Sequence, residues 1–457
     1  MVFVEKAGIP AVGIVAKSFA RAWQSSVDGW GQPTTAFVAI PHATSGGQKK
    51  EFIEKMVDDQ IDEILRGLTH ETASQKPKLA TGKAPELFTV EMDETDQGLN
   101  AINRFMAERD WTDGMAITPP TPSAVERMLK ATKHAPQDVI MIMEPGFGLA
   151  TVEKIAINAV MAGMEPAQFP VLLTAIACLA EPQMNQRDLH MSGHAEAPLI
   201  LVNGPIAKKA GINGGAGAMG PGVANAANTA IGRALRLCFI NIGDSRVGGG
   251  DPNFIGLPMK GGMVISENEE DSPWQPYHMD KGFKRDESVV TVQSVTGPIC
   301  CQGGVGFEDV LNNIATTGMA PRNAGSGGWL RGPSSAQVGN TTKRVFFQAP
   351  HHPIILSPSR AMIMQNAGLS KKQMQEWLWK HCSIPLKDVL GPRGMDKDAN
   401  GKWTSHPEFQ HLESDPNATI PKLESPDQYL IFVAGGTTHY AEFFFGTYGL
   451  STRPLEM

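Results

Sequence analysis

The stretch Leu199-Ile-Leu-Val-Asn-Gly-Pro205, followed by the glycine-rich run GINGGAGAMGPG at residues 211–222, decides the fold. A short apolar run that ends in Asn-Gly-Pro is typical of a buried strand that stops at a turn. A helical pattern continues from about residue 223 to 240. This order of strand, loop and helix predicts an α/β layer in which a strand-end loop is available to a ligand.

Strand-like and helical runs alternate through most of the chain. Strands are predicted near residues 139–143, 262–266, 288–295, 345–348, 353–356 and 429–434, and helices near residues 151–163, 167–180, 306–318, 358–367 and 371–382. Residues 111–457 are therefore predicted to form one large α/β domain with an irregular insertion at 384–425. The sequence shows no internal repeat.

The first 70 residues are predicted to form a partial α/β unit. Residues 9–15 and 35–40 are short apolar runs typical of strands, and residues 48–66 have the apolar spacing of an amphipathic helix. Glu5-Lys-Ala-Gly8 reads as the end of a helix, so the chain is expected to begin in the middle of a β-α-β unit. Residues 71–110 are interpreted as a linker with a short helix at 97–108.

Composition excludes several classes of protein. The chain has 457 residues, of which 41% are hydrophobic and 19% charged, so it can bury a large core. A net charge of −7 without a basic stripe argues against nucleic acid and membrane surfaces as partners. No apolar run reaches the ~18 residues of a membrane span, and the first residues lack a signal-peptide pattern, so a cytoplasmic protein is expected.

The glycine-rich loop is the first candidate site. Gly215, Gly217 and Gly220 fit a dinucleotide pattern only approximately because the loop is too long, and no Lys-Ser/Thr follows, which excludes a P-loop. The loop could hold a carboxylate, hold a cofactor phosphate, or be purely structural. The predicted substrate-binding residues are Asn203, Gly215, Gly217, Gly220, Asn225, Arg233 and His439.

An acidic turn is the second candidate site. Residues 267–271 hold four acidic side chains just after a predicted strand. Such a cluster is costly unless it is solvated, paired or metal-bound. Glu267 or Glu269 could act as a general base with His278 as its partner, and a solvated acidic turn is the alternative.

The cysteines and histidines give weaker signals. Cys300 and Cys301 adjoin each other in a predicted glycine-rich bend before a helix, where the helix dipole could stabilise one thiolate as a nucleophile; two buried core thiols are the alternative. His190, His194 and Glu196 could hold a metal ion as cofactor, although Gly193 argues against a helix that presents both histidines. The remaining cysteines, Cys178, Cys238 and Cys382, are predicted core residues, and the five together do not indicate a disulfide framework.

The N-terminal unit resembles a known family. Val4-Glu-Lys-Ala-Gly-Ile-Pro-Ala-Val12, the helix from Ser18 and Ala39-Ile-Pro-His42 resemble the second half of the UGSC-type domain, which is related to the selenoprotein B subunits of glycine reductase. In that family, Sec or Cys followed by Cys lies just upstream of the E-K/R-A-G-I-P run, and no such motif precedes Glu5 here. The resemblance implies that a small partner subunit supplies this centre, or that the chain has lost it and works differently. Because an uncovered strand of the buried type would associate with other chains, a partner subunit or a tight homo-oligomer is expected.

The larger region resembles bacterial proteins in which such a domain accompanies a long α/β region, mostly without an assigned reaction. The matching stretches are residues 151–163, 201–205, 230–237, 267–274 and 357–359.

The sequence thus predicts an enzyme that acts on a small anionic organic substrate. Its chemistry would be thiol-dependent redox or carbon–heteroatom bond chemistry, with the chain as the large subunit of a hetero-oligomer. The alternatives are a metal-dependent hydrolase, lyase or oxygenase, and a non-catalytic subunit that binds or scaffolds a redox partner.

Overall fold

The fold is described from a computed structural model for residues 4–5, 7–29, 34–40, 49–69, 85–91, 98–319, 350–386, 411–412 and 414–455. The predicted strand at 345–348 and residues 387–410 of the predicted insertion lie outside this part of the chain. Within it, no helix has both the length and the apolar character needed to cross a membrane.

The N-terminal unit contains a two-stranded parallel sheet and three helices. Its elements are β1 (Gly13–Ala16), α1 (Ala20–Gly29), β2 (Phe37–Ile40), α2 (Lys50–Asp58) and α3 (Ile61–Thr69). The helix predicted over 48–66 is interrupted after Asp58, where aspartate residues of low helix propensity follow one another. Ile14, Ile61 and Leu65 remain exposed, and the partner expected to cover this unit stays a prediction.

Two helices and a hairpin connect this unit to the main sheet. They are α4 (Leu99–Ala107), α5 (Pro122–Leu129), β3 (Val139–Met143) and β4 (Gly148–Thr151). The side chain of Thr151 then caps the next helix by accepting a hydrogen bond from the Lys154 amide at 3.3 Å, as its position in the sequence suggests.

The main sheet has six strands and packs against helices, which confirms the predicted α/β fold class. The elements of this region are α6 (Val152–Met161), α7 (Phe169–Leu179), α8 (Gln186–Met191), β5 (Ala197–Asn203), α9 (Pro205–Lys209), α10 (Ala226–Asn241), β6 (Met263–Ser266), α11 (Tyr277–Asp280), β7 (Val289–Cys301), α12 (Phe307–Met319), β8 (His352–Leu356), α13 (Pro358–Asn366), α14 (Lys371–His381), β9 (Ser383–Pro385), β10 (Thr419–Pro421), β11 (Tyr429–Val433) and β12 (Ala441–Pro454). The strand order is β11-β8-β12-β7-β5-β6.

The sheet consists of two repeats of the same topology, although the sequence shows none. In the first, β5 pairs with β6 in parallel and with β7 antiparallel; in the second, β8 pairs likewise with β11 and β12. Corresponding hydrogen bonds close the two parallel pairs, from the Glu267 amide to the Val202 carbonyl and from the Ala434 amide to the Leu356 carbonyl. Antiparallel pairing of β7 with β12 joins the repeats, so an approximate twofold axis passes between these two strands.

The sheet curls so that one face encloses an apolar interior. Leu199 of β5, Phe432 of β11 and Phe444 of β12 belong to this interior cluster. The alternate residues of the strands pack outward, the first repeat against a cluster that includes α6, α7 and α10 and the second against one that includes α12, α13 and α14. The edge strands approach each other, because the Asn268 amide after β6 donates to the carbonyl of Val433 in β11 at 2.8 Å.

The pairing of β7 with β12 depends on the absence of a side chain at Gly446. This residue pairs with Val295 near the twofold axis, and a Cβ built on it would overlap the His351 backbone carbonyl. Because that neighbour is backbone, it cannot move aside without disturbing the strand. We expect Gly446→Ala to lower the free energy of unfolding by about 1–3 kcal/mol, measured by urea denaturation.

Gly193→Ala is the matched control, since Gly193 is exposed and a Cβ there meets only open space. Equal stability of the two variants would contradict the packing described for the centre of the sheet.

Candidate functional site

Four of the predicted site residues meet where the first parallel strand pair ends. Asn203 is the last residue of β5, and its Nδ2 donates to Glu267 Oε2 at 2.6 Å and to Glu269 Oε1 at 3.1 Å. The backbone amide of Tyr277 also donates to Glu267 Oε2, at 2.7 Å. His278 Nδ1 lies 3.9 Å from Glu269 Oε1. We call Asn203, Glu267, Glu269 and His278 the acid cluster.

The acid cluster contains three buried polar atoms that have no hydrogen-bond partner among the described residues. Within the described residues, Asn203 Oδ1, Glu267 Oε1 and His278 Nδ1 are buried and have no hydrogen-bond partner. His278 Nε2 lies 3.0 Å from the Lys284 carbonyl oxygen, which can only accept, so Nε2 carries a proton, and in the neutral ring Nδ1 holds the lone pair. Buried polar groups are normally paired, so three unpartnered polar atoms are consistent with a ligand or water at this place; Glu267 Oε1 accepts when the carboxyl is ionised and donates when it is protonated.

Burial sets the protonation of Glu267. Its side chain is 5% exposed, and burial raises its pKa to about 7, although the positive charge of Lys371 and the hydrogen bonds from Tyr277 and Asn203 lower it. Glu269 is 22% exposed in its side chain and forms the solvent side of the cluster. The cluster therefore holds a carboxyl that changes its charge near neutral pH.

Lys371 is a contributor that the sequence analysis missed. It is the first residue of α14, it is buried, and it forms an ion pair with Asp280. Nothing in the local sequence distinguishes it from a surface lysine. Only the packing of the second repeat against the first brings its charge near Glu267.

The glycine-rich loop closes the junction between the two repeats. The Gly435 amide donates to the Gly214 carbonyl at 2.8 Å, and a Cβ on Gly436 would lie 3.0 Å from the Ala216 Cβ. His439 is exposed in the same connection between β11 and β12. The loop thus packs on the second repeat at the end of the sheet where the acid cluster lies.

The loop uses its polar groups internally. Asn225 Nδ2 donates to the carbonyls of Gly217 at 2.6 Å and Gly220 at 2.7 Å, and the Gly215 amide donates to Asn213 Oδ1 at 2.7 Å. The Gly220 amide donates to the Gly217 carbonyl at 2.8 Å. The prediction that Asn225 holds a ligand is therefore wrong, because its carboxamide fastens the loop.

The side chain of Arg233 is also paired with other groups of the protein. Its guanidinium pairs with both carboxylate oxygens of Asp113, at 2.7 and 2.9 Å, and donates to the carbonyls of Met115 and Ala116. The prediction of an anion-binding Arg233 is wrong, since this side chain anchors residues 113–116 to α10. No local pattern in the sequence pairs Arg233 with Asp113.

The vicinal cysteines lie in a strand rather than in a bend. Cys300 and Cys301 end β7, at the opposite end from Val289, which pairs with Asn203. Burial raises the pKa of the Cys301 thiol to about 11, and burial together with the nearby Glu442 raises that of the exposed Cys300. These shifts oppose the predicted thiolate stabilisation. The cysteines predicted to be core residues, Cys178, Cys238 and Cys382, are buried.

The predicted metal ligands are not brought together. His190 is buried with Nδ1 3.3 Å from Ser245 Oγ, whereas His194 is exposed beyond the end of α8. Glu196 is buried and accepts a hydrogen bond from Thr447 Oγ1 at 3.1 Å, and burial raises its pKa to about 8. In the part of the chain that the structure describes, no group of three or more His, Cys, Asp or Glu could hold a metal ion.

Glu267 has a measurable effect on the pH dependence of stability. Its pKa is about 7 in the fold and ordinarily 4.5, so the folded chain binds the proton more tightly than the unfolded chain. The contribution of Glu267 to stability therefore falls as the pH rises from about 4.5 to about 7. Relative to wild type, we expect Glu267→Gln to gain up to about 3 kcal/mol of unfolding free energy between about pH 5 and pH 8.

Urea denaturation at a series of pH values measures this gain, and Glu270→Gln, at an exposed neighbouring carboxylate, is the control. A stability difference between Glu267→Gln and wild type that does not change with pH would contradict the raised pKa.

Comparison with known proteins identifies the N-terminal unit alone. Residues 2–70 match the model described as the UGSC family. No curated protein matches the chain, and no solved structure does. The expected relation to the selenoprotein B subunits of glycine reductase stays a prediction. The match confirms the UGSC-type resemblance of the N-terminal unit and is confined to that unit.

Proposed function

We propose that the protein is an enzyme that transfers protons at Glu267 during carbon–heteroatom bond chemistry on a small polar molecule. One observation carries the proposal: a buried carboxyl with a pKa of about 7 adjoins two other buried acceptors that have no donor among the described residues. A group that titrates near neutral pH can act both as an acid and as a base.

The residues of the acid cluster are suited to different roles in the proposed reaction. Neutral Glu267 donates its proton to the departing nitrogen or oxygen of the substrate. In its neutral form His278 accepts at Nδ1 a proton from the neighbouring carbon of the substrate; the electron pair of that C–H bond forms a C=C bond as the C–N or C–O bond breaks, and the resulting enol gives the carbonyl product. Glu269 Oε1, 3.9 Å from Nδ1, stabilises the imidazolium. Asn203 Oδ1 accepts a hydrogen bond and so orients the substrate, because its own Nδ2 is held by the two carboxylates.

The chemistry of the cluster favours a substrate rich in donors. Amino and hydroxyl groups suit this cluster, because Asn203 Oδ1 and, in the neutral ring, His278 Nδ1 accept hydrogen bonds, whereas Glu269 would repel a carboxylate. Lys371, whose charge acts on Glu267, is itself paired with Asp280. The proposed substrate is therefore a small amino alcohol or polyol rather than the anion expected from the sequence.

Thiol chemistry within this chain receives less support. The Cys301 thiol has a pKa of about 11, so it is protonated at neutral pH. Both vicinal cysteines also lie at the end of β7 away from Asn203. The bond-breaking step is therefore assigned to the acid cluster and not to these thiols.

Turnover of small amino alcohols and diols, followed as release of ammonia or of a carbonyl product, tests the proposal. We expect a member of this set to be consumed by the wild-type protein and Glu267→Gln to reduce the rate by about 10²–10⁴-fold, the usual contribution of a general acid or base. Glu270→Gln, at an exposed carboxylate of the same turn, should retain the wild-type rate.

Unchanged turnover by Glu267→Gln would contradict the role of this carboxyl. Stabilisation of the wild-type fold by simple carboxylic acids but not by amino alcohols, measured as a thermal shift, would contradict the substrate class. A chain that turns over no member of the set would favour the non-catalytic alternative.

A further inference from the structure

A large cavity lies away from the acid cluster. It is bounded by residues 85–91, α4, α5 and α6, together with the end of α10, and its volume is about 930 Å³. This volume is within the range of ~300–1,000 Å³ that is usual for small-molecule sites. Asn228 near the start of α10 contacts the glycine-rich loop, whereas Asn241 at its end lines the cavity. At ~1.5 Å per helical residue, the two places are roughly 20 Å apart.

Aromatic side chains form one wall of the cavity. The ring centroid of Phe88 is 5.8 Å from that of Phe105 and 5.6 Å from that of Trp111, and the last two are 6.3 Å apart. The guanidinium of Arg109 lies 3.6 Å from the Phe105 centroid and supports that ring. These rings contact one another in tilted geometry and, as lining residues, present aromatic surface to the cavity, on which a further aromatic ring can pack.

The rest of the lining is largely aliphatic, with the charged side chains of Glu86, Glu126, Glu153 and Lys154 also contributing, and it has one place where two amides meet, which we call the polar place. Leu129 and Ile157 contribute apolar contacts, and Asn158 and Asn241 meet at the polar place. Asn241 Nδ2 donates to Asn158 Oδ1 at 2.7 Å and to the Trp111 carbonyl at 3.1 Å, which fixes the orientation of the amide. Asn241 Oδ1 is then a buried acceptor with no donor in the described part of the chain.

We propose that this cavity is a second ligand site, which binds a flat aromatic molecule that carries one hydrogen-bond donor. The aromatic wall takes the ring system, and the donor satisfies Asn241 Oδ1 at the polar place. Apolar walls with few polar groups are the usual composition of sites for such ligands. The inference is independent of the reaction proposed at the acid cluster, since no residue of that cluster lines the cavity.

Fluorescent probes test this site in the full-length protein. N-phenyl-1-naphthylamine is an apolar compound with two planar ring systems and one N–H donor, and its emission rises in apolar surroundings. We expect saturable binding to one site per chain. The analogue 1-phenylnaphthalene, which lacks the donor, should compete at least about fivefold more weakly. Absence of saturable binding, or equal affinity for the two compounds, would overturn the proposal.

Substitutions that fill the cavity with a larger side chain test whether the probe binds there. Ile157→Trp and Leu129→Trp should weaken binding of N-phenyl-1-naphthylamine at least about tenfold, whereas Ile142→Trp, at an exposed isoleucine of β3, should leave it unchanged. Equal affinity in all three variants would place the probe elsewhere and refute the site.

A further measurement does not depend on the folding of the cavity-filling variants. Energy transfer from tryptophan to the bound probe should fall in Trp111→Phe, because Trp111 forms part of the aromatic wall. Undiminished transfer in this variant would also refute the site.

Discussion

The antiparallel pairing of β7 with β12 is the constraint on which the rest of the structure depends. These two strands join the repeats, and the pair Val295 and Gly446 lies near their common axis. Because the joined sheet curls, the edge strands β6 and β11 approach each other, as the hydrogen bond from Asn268 to Val433 shows. The ends of both parallel strand pairs and the glycine-rich loop consequently meet in one place.

The acid cluster is a consequence of that meeting. Glu267 follows a buried strand and is covered by α11 and by the second repeat, so its charge is poorly solvated and its pKa rises to about 7. Two hydrogen bonds, from Asn203 and from the Tyr277 amide, hold one carboxylate oxygen and leave the other without a partner. Such a carboxyl weakens the fold above neutral pH, and sites of this kind are more common where a proton is transferred than where a core is built.

The sequence predicts the strand-end motifs of this site better than the contacts between residues that are far apart in the chain. The run 199–205 and the acidic turn after residue 266 each sit at a strand end, as the sequence predicts, whereas the parallel pairing of β5 with β6 that brings them together is seen only in the fold. The strand β12 was not predicted, because Gly446 and Gly449 interrupt its apolar run, and without β12 the repeats cannot be recognised. The partners of Arg233 and Glu267, which are Asp113 and the charge of Lys371, lie far away in sequence and are set by packing.

The central claim is that Glu267 is a neutral carboxyl poised to ionise near neutral pH. The infrared carbonyl band of protonated carboxyl groups, recorded as the difference between wild type and Glu267→Gln over a pH series, measures this directly. We expect a difference band that is present at about pH 5 and disappears with a midpoint near pH 7, in keeping with a pKa of about 7. A difference band that is already absent at about pH 5, as for a carboxyl with an ordinary pKa, would contradict this claim.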